Sequence, residues 1–137
     1  MKEIEGIIER KRSIEEVKLM KPLVWAYIGD CIYEIFIRMK LVNSTNLDPH
    51  RLHIETIKHV KAKAQAETLE KIQESLTEEE KDIVRRGRNA EAHHQPKNAD
   101  LADYKHATAF EALIGYLYLS KQDDRLKEIL EMGIEGN

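Results

Sequence analysis

Cysteine is nearly missing from this chain: Cys31 stands alone among 137 residues. No intrachain disulfide can form, which fits a reducing, cytoplasmic setting. Cys31 lies inside an apolar run and is expected to pack as a small apolar side chain. A zinc centre also lacks ligands. His50 and His53 are three apart and His93 and His94 are adjacent, but no cysteine pair or HExxH completes either set. No Walker motif, GxGxxG or nucleophilic serine elbow occurs, so no phosphate loop, dinucleotide fold or serine hydrolase is indicated. Long hydrophobic runs are absent too. The longest candidate, Leu23 to Met39, is broken by Asp30, Glu34 and Arg38, short of the roughly 18 apolar residues that span a bilayer. The first twenty residues alternate charge with apolar side chains, and no signal peptide or membrane anchor is expected.

Proline is scarce, with only Pro22, Pro49 and Pro96, and each reads as punctuation between helices. No segment alternates like a hairpin strand. The expected fold is therefore all-α. Pro22 can open a helix to about Lys40. Asn43 to Asn46 form a polar turn, and Asp48 caps a helix from Pro49 to about Gln73 with a bend or break near Val60. Thr77-Glu78-Glu79-Glu80 is a capping box, starting a short helix that ends near Arg86-Gly87. Residues 87–99 form the longest loop. Asp100 caps a helix to about Ser120, and Asp123 begins a last helix closed by Gly133. The length suits one domain with one core.

Against this background two acids stand out. Asp30 is the only acid between Leu23 and Tyr33, and Glu111 the only one between Tyr104 and Gln122. An ionised carboxylate in a core is costly unless a partner or cation compensates. Helical spacing sets Tyr27, Asp30, Glu34 and Arg38 on one stripe and Tyr104, Thr108, Glu111 and Gly115 on another. If the two helices pack antiparallel, the acids meet in an oxygen-lined pocket suited to a hard divalent cation. Pairing of Asp30 with Arg38 or Lys105 is the competing reading, and Glu34 suits a salt bridge.

Lysine and arginine total 22 against 25 acids, a net charge of −3. The total conceals a positive centre: from Pro49 to Ala66 the only acid is Glu55. His50, Arg51, His53, Lys58, His59, Lys61 and Lys63 crowd there, and Arg85, Arg86 and Arg88 cluster before the loop. Such a surface attracts a nucleic-acid backbone.

Tyr27-Ile28-Gly29-Asp30-Cys31-Ile32-Tyr33-Glu34 resembles the ribonuclease III signature, of the form LGDAVLE. Phe110 to Leu119, FEALIGYLYL, resembles the second acidic block of that family. Val60 to Ala66, Arg85 to Ala90, Pro96 to Asn98 and Ala107 to Glu111 are similar to the short bacterial branch, Mini-ribonuclease III, which has a catalytic domain without a double-stranded-RNA-binding domain. The resemblance covers roughly residues 20 to 130 and implies a helical endonuclease domain over 18–137, preceded by an arm or short helix over 1–17.

The resemblance further implies a homodimer whose two sites cut double-stranded RNA with Mg²⁺, or Mn²⁺ in its place, leaving 5′ phosphates and short 3′ overhangs. The implied substrate is the precursor of 23S ribosomal RNA, trimmed at both ends and presented by a large-subunit ribosomal protein. Asp30 and Glu111 carry over as catalytic metal ligands. Other members have acids where this chain has Leu23, Ala26 and Thr108, so two retained acids suit one firmly held cation. Thr108, Glu34 and Tyr27 are supporting candidates. Arg85, Arg86, Arg88, Asn89, Lys97, Asn98 and Lys105 are the RNA-binding candidates, with the 87–99 loop as the source of any sequence preference. Surplus apolar side chains around Trp25, Ile32, Phe36 and Ile37 are expected at the dimer interface. The alternative is a helical RNA-binding or ribosome-assembly factor without catalysis, or a scaffold with salt-bridged core acids.

Overall fold

The computed structural model describes residues 2–8, 10–91 and 100–134. Among these, all regular structure is helical. The order is α1 (Lys2–Ile8), α2 (Ile14–Lys18), α3 (Pro22–Ser44), α4 (Pro49–Val60), α5 (Ala62–Ile72) with a 3₁₀ turn at Gln73–Ser75, α6 (Glu78–Asn89), α7 (Leu101–Leu119) and α8 (Asp123–Ile134). None of the described helices is long and apolar enough to cross a membrane.

The boundaries follow local chemistry. Pro22 opens α3, losing no hydrogen bond in the first turn. The Asp48 carboxylate accepts from the Arg51 N–H at 2.9 Å and starts α4. Lys61 is extended, at φ −65° and ψ 155°, and divides α4 from α5, the break expected near Val60. Thr77 and Glu80 form the capping box of α6, at 3.1 and 2.9 Å. Glu80 is buried, and burial alone would raise its pKa. Hydrogen bonds from Arg125 on α8 and from Thr77 outweigh that and hold it below the ordinary carboxylate range. Arg125 grips both Glu80 oxygens at 2.8 Å and the Ser75 carbonyl at 2.7 Å, tying α6 to α8.

Three boundaries differ from expectation. Helix α3 runs four residues beyond Lys40 to Ser44, absorbing half of the polar turn, and α6 runs on to Asn89. Gly133 lies inside α8, where a Cβ would meet the Thr68 methyl at 2.7 Å, so the glycine serves helix packing and not termination.

Helix α7 is the axis of the molecule. From Ala107 to Leu117 every residue except Glu111 is buried, because α3, α5, α6 and α8 surround it. Trp25 packs edge-on against Tyr116 with centroids 5.4 Å apart, and Tyr33 against Phe110 at 4.9 Å. Rising numbers on α3 thus meet falling numbers on α7, the antiparallel arrangement that brings Asp30 beside Glu111. Helix α2 is part of this core. Val17 is fully buried, its carbonyl accepts from Trp25 Nε1 at 2.8 Å, and Arg86 both stacks on Trp25 at 4.6 Å and bonds the Lys18 carbonyl at 2.9 Å.

The long apolar helix α3 buries a different face from the one its composition suggests. Trp25 and Ile37 lie in the chain's own core and Ile32 and Phe36 pack against it, so these residues do not form an outward apolar surface. The surplus stands on the opposite side: Val24, Tyr27, Cys31, Ile35, Met39 and Val42 are exposed. Cys31 is therefore a surface residue and not a packed one, since it falls on the stripe that turns away from α7.

Candidate metal and nucleic-acid site

The site is made by a close crossing of α3 and α7. A Cβ on Gly29 would lie 1.7 Å from the Glu111 carbonyl oxygen, and one on Gly115 would lie 1.8 Å from that of Trp25. Only hydrogen fits at either place. The two backbones touch there, and Asp30 and Glu111 branch from the crossing beside each other.

Their environments differ. Asp30 is exposed and Glu111 half-buried, so the expectation of two buried acids holds for neither in full. Asp30, next to Gly29, stays open to solvent. Glu111 lies deeper, and its pKa is pushed up to about 8, first by burial and then by the charge and hydrogen bond of Asp30, against a lowering contribution from Gln65. Among the described residues neither carboxylate pairs with a lysine or arginine; Arg38 bonds Glu34 instead, at 3.1 Å. Nor does a third His, Cys, Asp or Glu complete a metal-binding group among them. A pair of touching carboxylates without a basic counter-charge is an electrostatic deficit, and a cation relieves it.

The other candidates are spread around this pair. Thr108, one turn before Glu111, is buried and donates its hydroxyl to the Tyr104 carbonyl at 2.9 Å, leaving its lone pairs as acceptors. Tyr27, one turn before Asp30, is 74% exposed. Lys105 is half-buried on α7, Arg88 half-buried and Asn89 exposed on α6. Arg85 is exposed and paired with Asp82. Arg86 stacks on the Trp25 ring and donates to the Lys18 carbonyl at 2.9 Å, contacts that tie α6 to α3 and α2. Lys97 and Asn98 lie outside the described residues, as does most of the 87–99 segment. Arg51 on α4, Lys61 at the break and Lys63 on α5 are exposed, while Lys58 bonds Glu55 at 2.8 Å.

One residue at the site escaped the sequence reading. Gln65 of α5 is buried and its Nε2 lies 3.4 Å from Glu111 Oε2. The signal was there: Gln65, Leu69 and Ile72 follow the spacing of a buried helix face, and a glutamine on such a face requires polar partners.

The family model of the ribonuclease III domain matches residues 23–122. Mini-ribonuclease 3 of Thermoanaerobacter sp. (strain X514) is 48% identical over 98% of this chain and 96% of its own length, so the likeness reaches into the first seventeen residues. Mini-ribonuclease 3 of Clostridium tetani is 48% identical, over 88% of this chain and 80% of that one. Mini-ribonuclease 3 of Staphylococcus aureus is 44% identical, over 83% and 87%. A crystal structure of a Fusobacterium nucleatum protein superposes with a TM-score of 0.77 at 32% identity, covering 88% of this chain and 96% of that one.

Proposed function

The chain belongs to the Mini-ribonuclease 3 branch of the ribonuclease III family and is an endoribonuclease of double-stranded RNA; from that premise we propose that Asp30 and Glu111 are its catalytic pair and hold Mg²⁺, with Mn²⁺ as a substitute. The observation that carries this is the contact between the two carboxylates at the glycine crossing, with neither paired to a lysine or arginine among the described residues. The donor set fits a hard cation, which takes carboxylate oxygens and fills its remaining positions with water and phosphate oxygens. Such an ion supplies positive charge at the scissile phosphate and a water acidic enough to attack it.

The chain's own residues do the rest. Asp30, open to solvent, meets substrate first, and Glu111 behind it anchors the site. Thr108 offers a hydroxyl acceptor that orients water. The exposed Arg51, Lys61 and Lys63, with Arg85, Arg88, Asn89 and Lys105, face the phosphates of an A-form duplex, read by shape and 2′-hydroxyls more than by sequence. Lys97 and Asn98 join them in this reading. Glu34, held by Arg38, keeps the face of α3 beyond Asp30 polar.

The exposed stripe Val24, Tyr27, Cys31, Ile35, Met39 and Val42 suits a two-fold contact with a second copy. A homodimer sets two sites on one duplex, one for each strand. The biological substrate in this reading is the 23S ribosomal RNA precursor, matured at its 5′ and 3′ ends in the cytoplasm with a large-subunit ribosomal protein presenting it. The test is incubation of duplex RNA, and of precursor with paired 23S ends, with and without magnesium. Wild type cuts both only with the ion, while Asp30→Asn and Glu111→Gln bind RNA and leave it whole. Equal cleavage by either variant overturns the assignment.

A further inference from the structure

Among the described residues Gln65 is a polar side chain buried beside Glu111, in a place that packing does not explain. It is 2% exposed. Its Nε2 donates to the Val60 carbonyl at 2.8 Å and reaches Glu111 Oε2 at 3.4 Å. Val60 is the last residue of α4, so its carbonyl is one that the helix itself leaves without a partner. Gln65 Oε1 is buried and has no protein donor. The amide has one sensible orientation: reversed, it would set an oxygen against the Val60 carbonyl and the Glu111 carboxylate together.

A side chain there only to fill space would be apolar, since an unpaired buried acceptor destabilises the fold. The glutamine is retained where its donor is needed. The short bond fixes the amide to the α4–α5 break, and the longer one extends that fixed point to Glu111.

We propose that Gln65 is a positioning residue for Glu111: anchored on the Val60 carbonyl, it steers one carboxylate oxygen so that the other is presented beside Asp30 for the cation. This rests on the assignment of Asp30 and Glu111 as ligands. It makes the α4–α5 break part of the active site, because the carbonyl freed by the extended Lys61 is the anchor. Partners that orient metal ligands generally change ion affinity or activity 10- to 100-fold when removed.

The experiment compares wild type, Gln65→Met, which keeps the shape without the donor, and Glu111→Gln. Mn²⁺ affinity of the RNA-free protein is read by electron paramagnetic resonance, and single-turnover kcat and KM on duplex RNA are read separately. Gln65→Met is expected to bind Mn²⁺ at least about tenfold more weakly, with kcat lowered to match and KM unchanged. A lowered Tm with Mn²⁺ affinity and kcat both within twofold of wild type would mean that Gln65 only caps Val60, and the proposal falls. Should Gln65→Met fail to fold, Gln65→Asn, which keeps the neutral amide but is one methylene too short to reach both partners, takes its place; Mn²⁺ affinity lowered about tenfold supports the proposal, and Mn²⁺ binding within twofold of wild type overturns it. Unchanged Mn²⁺ affinity in Glu111→Gln would instead sink the ligand assignment itself.

Discussion

Glu111 should destabilise the metal-free protein at neutral pH, and its removal should stabilise it. The folded-state pKa is about 8, against an ordinary 4.5. A raised carboxylate pKa means that folding disfavours the charged form. Stability from this group is therefore full below pH 4.5 and is lost progressively as the pH rises toward 8. At pH 7 the unfolded chain is ionised there while the folded one holds the proton. At 1.36 kcal/mol per pH unit over the 2.5 units between 4.5 and 7, the penalty is about 3 kcal/mol. A domain of this length unfolds with an entropy near 2.1 cal/mol/K per residue, so about 3 kcal/mol moves Tm by about 10 °C.

Glu111→Gln keeps the shape and removes the charge. In EDTA at pH 7, calorimetry or thermal circular dichroism at one fixed protein concentration should find the variant about 10 °C more stable than wild type. Near pH 4.5 the difference should vanish. Saturating Mg²⁺ should raise wild type and leave the variant unmoved, with about 2.7 kcal/mol gained at a hundred times Kd. A variant no more stable than wild type at pH 7, or a gap that does not shrink in acid, would refute the electrostatic argument.

Arg125→Ala leaves the Glu80 carboxylate buried and unpaired and should lower stability by about 3 kcal/mol. Because Glu80 has a depressed pKa, the loss, measured by urea denaturation, should be full above pH 4.5 and close as the pH falls through its folded-state value. Ile35→Glu with Met39→Glu charges the exposed stripe of α3 and should halve the sedimenting mass without altering the helical spectrum; a wild type that already sediments as a monomer ends the dimer reading. Gly115→Ala forces a methyl into the Trp25 carbonyl and should reduce stability by at least about 3 kcal/mol, read from thermal melts. Duplex-RNA affinity should fall linearly in log Kd against log salt, and Lys63→Ala should flatten that slope.

What was legible in the sequence was local. The caps at Asp48 and Thr77, the proline at Pro22 and the interruption near Val60 depend on residues within four positions of one another, so they can be read without the fold. The Glu34–Arg38 pair is of the same kind. The faces of α3 were not legible, because Leu23, Val24, Trp25 and Ala26 are consecutive and the helix is apolar on two sides. Periodicity then cannot say that Trp25 goes inward while Val24 and Cys31 stay out. The stack of Arg86 on the Trp25 ring was not legible for a related reason: it joins residues of two helices far apart in the sequence. The meeting of Asp30 and Glu111 was inferred from two stripes and a supposed antiparallel packing, whereas the part played by Gln65 required the third helix in place.

The glycines explain why the acids sit where they do. Two helices packed through ordinary side chains lie 8–10 Å apart, which would hold short carboxylates at arm's length. At Gly29 and Gly115 no side chain intervenes, and carbonyl oxygens of each helix occupy the space of the missing Cβ on the other. Asp30 follows directly on Gly29, and Glu111 is the residue whose carbonyl Gly29 receives. The contact that stabilises the core is thus the contact that brings the charges together. Repulsion at the site is opposed by the burial of Trp25, Tyr33, Phe110 and Tyr116 on either side of the crossing. The packing of the whole bundle holds the two carboxylates together, so without metal a proton on Glu111 relieves their repulsion, and a bound cation would take that proton's place.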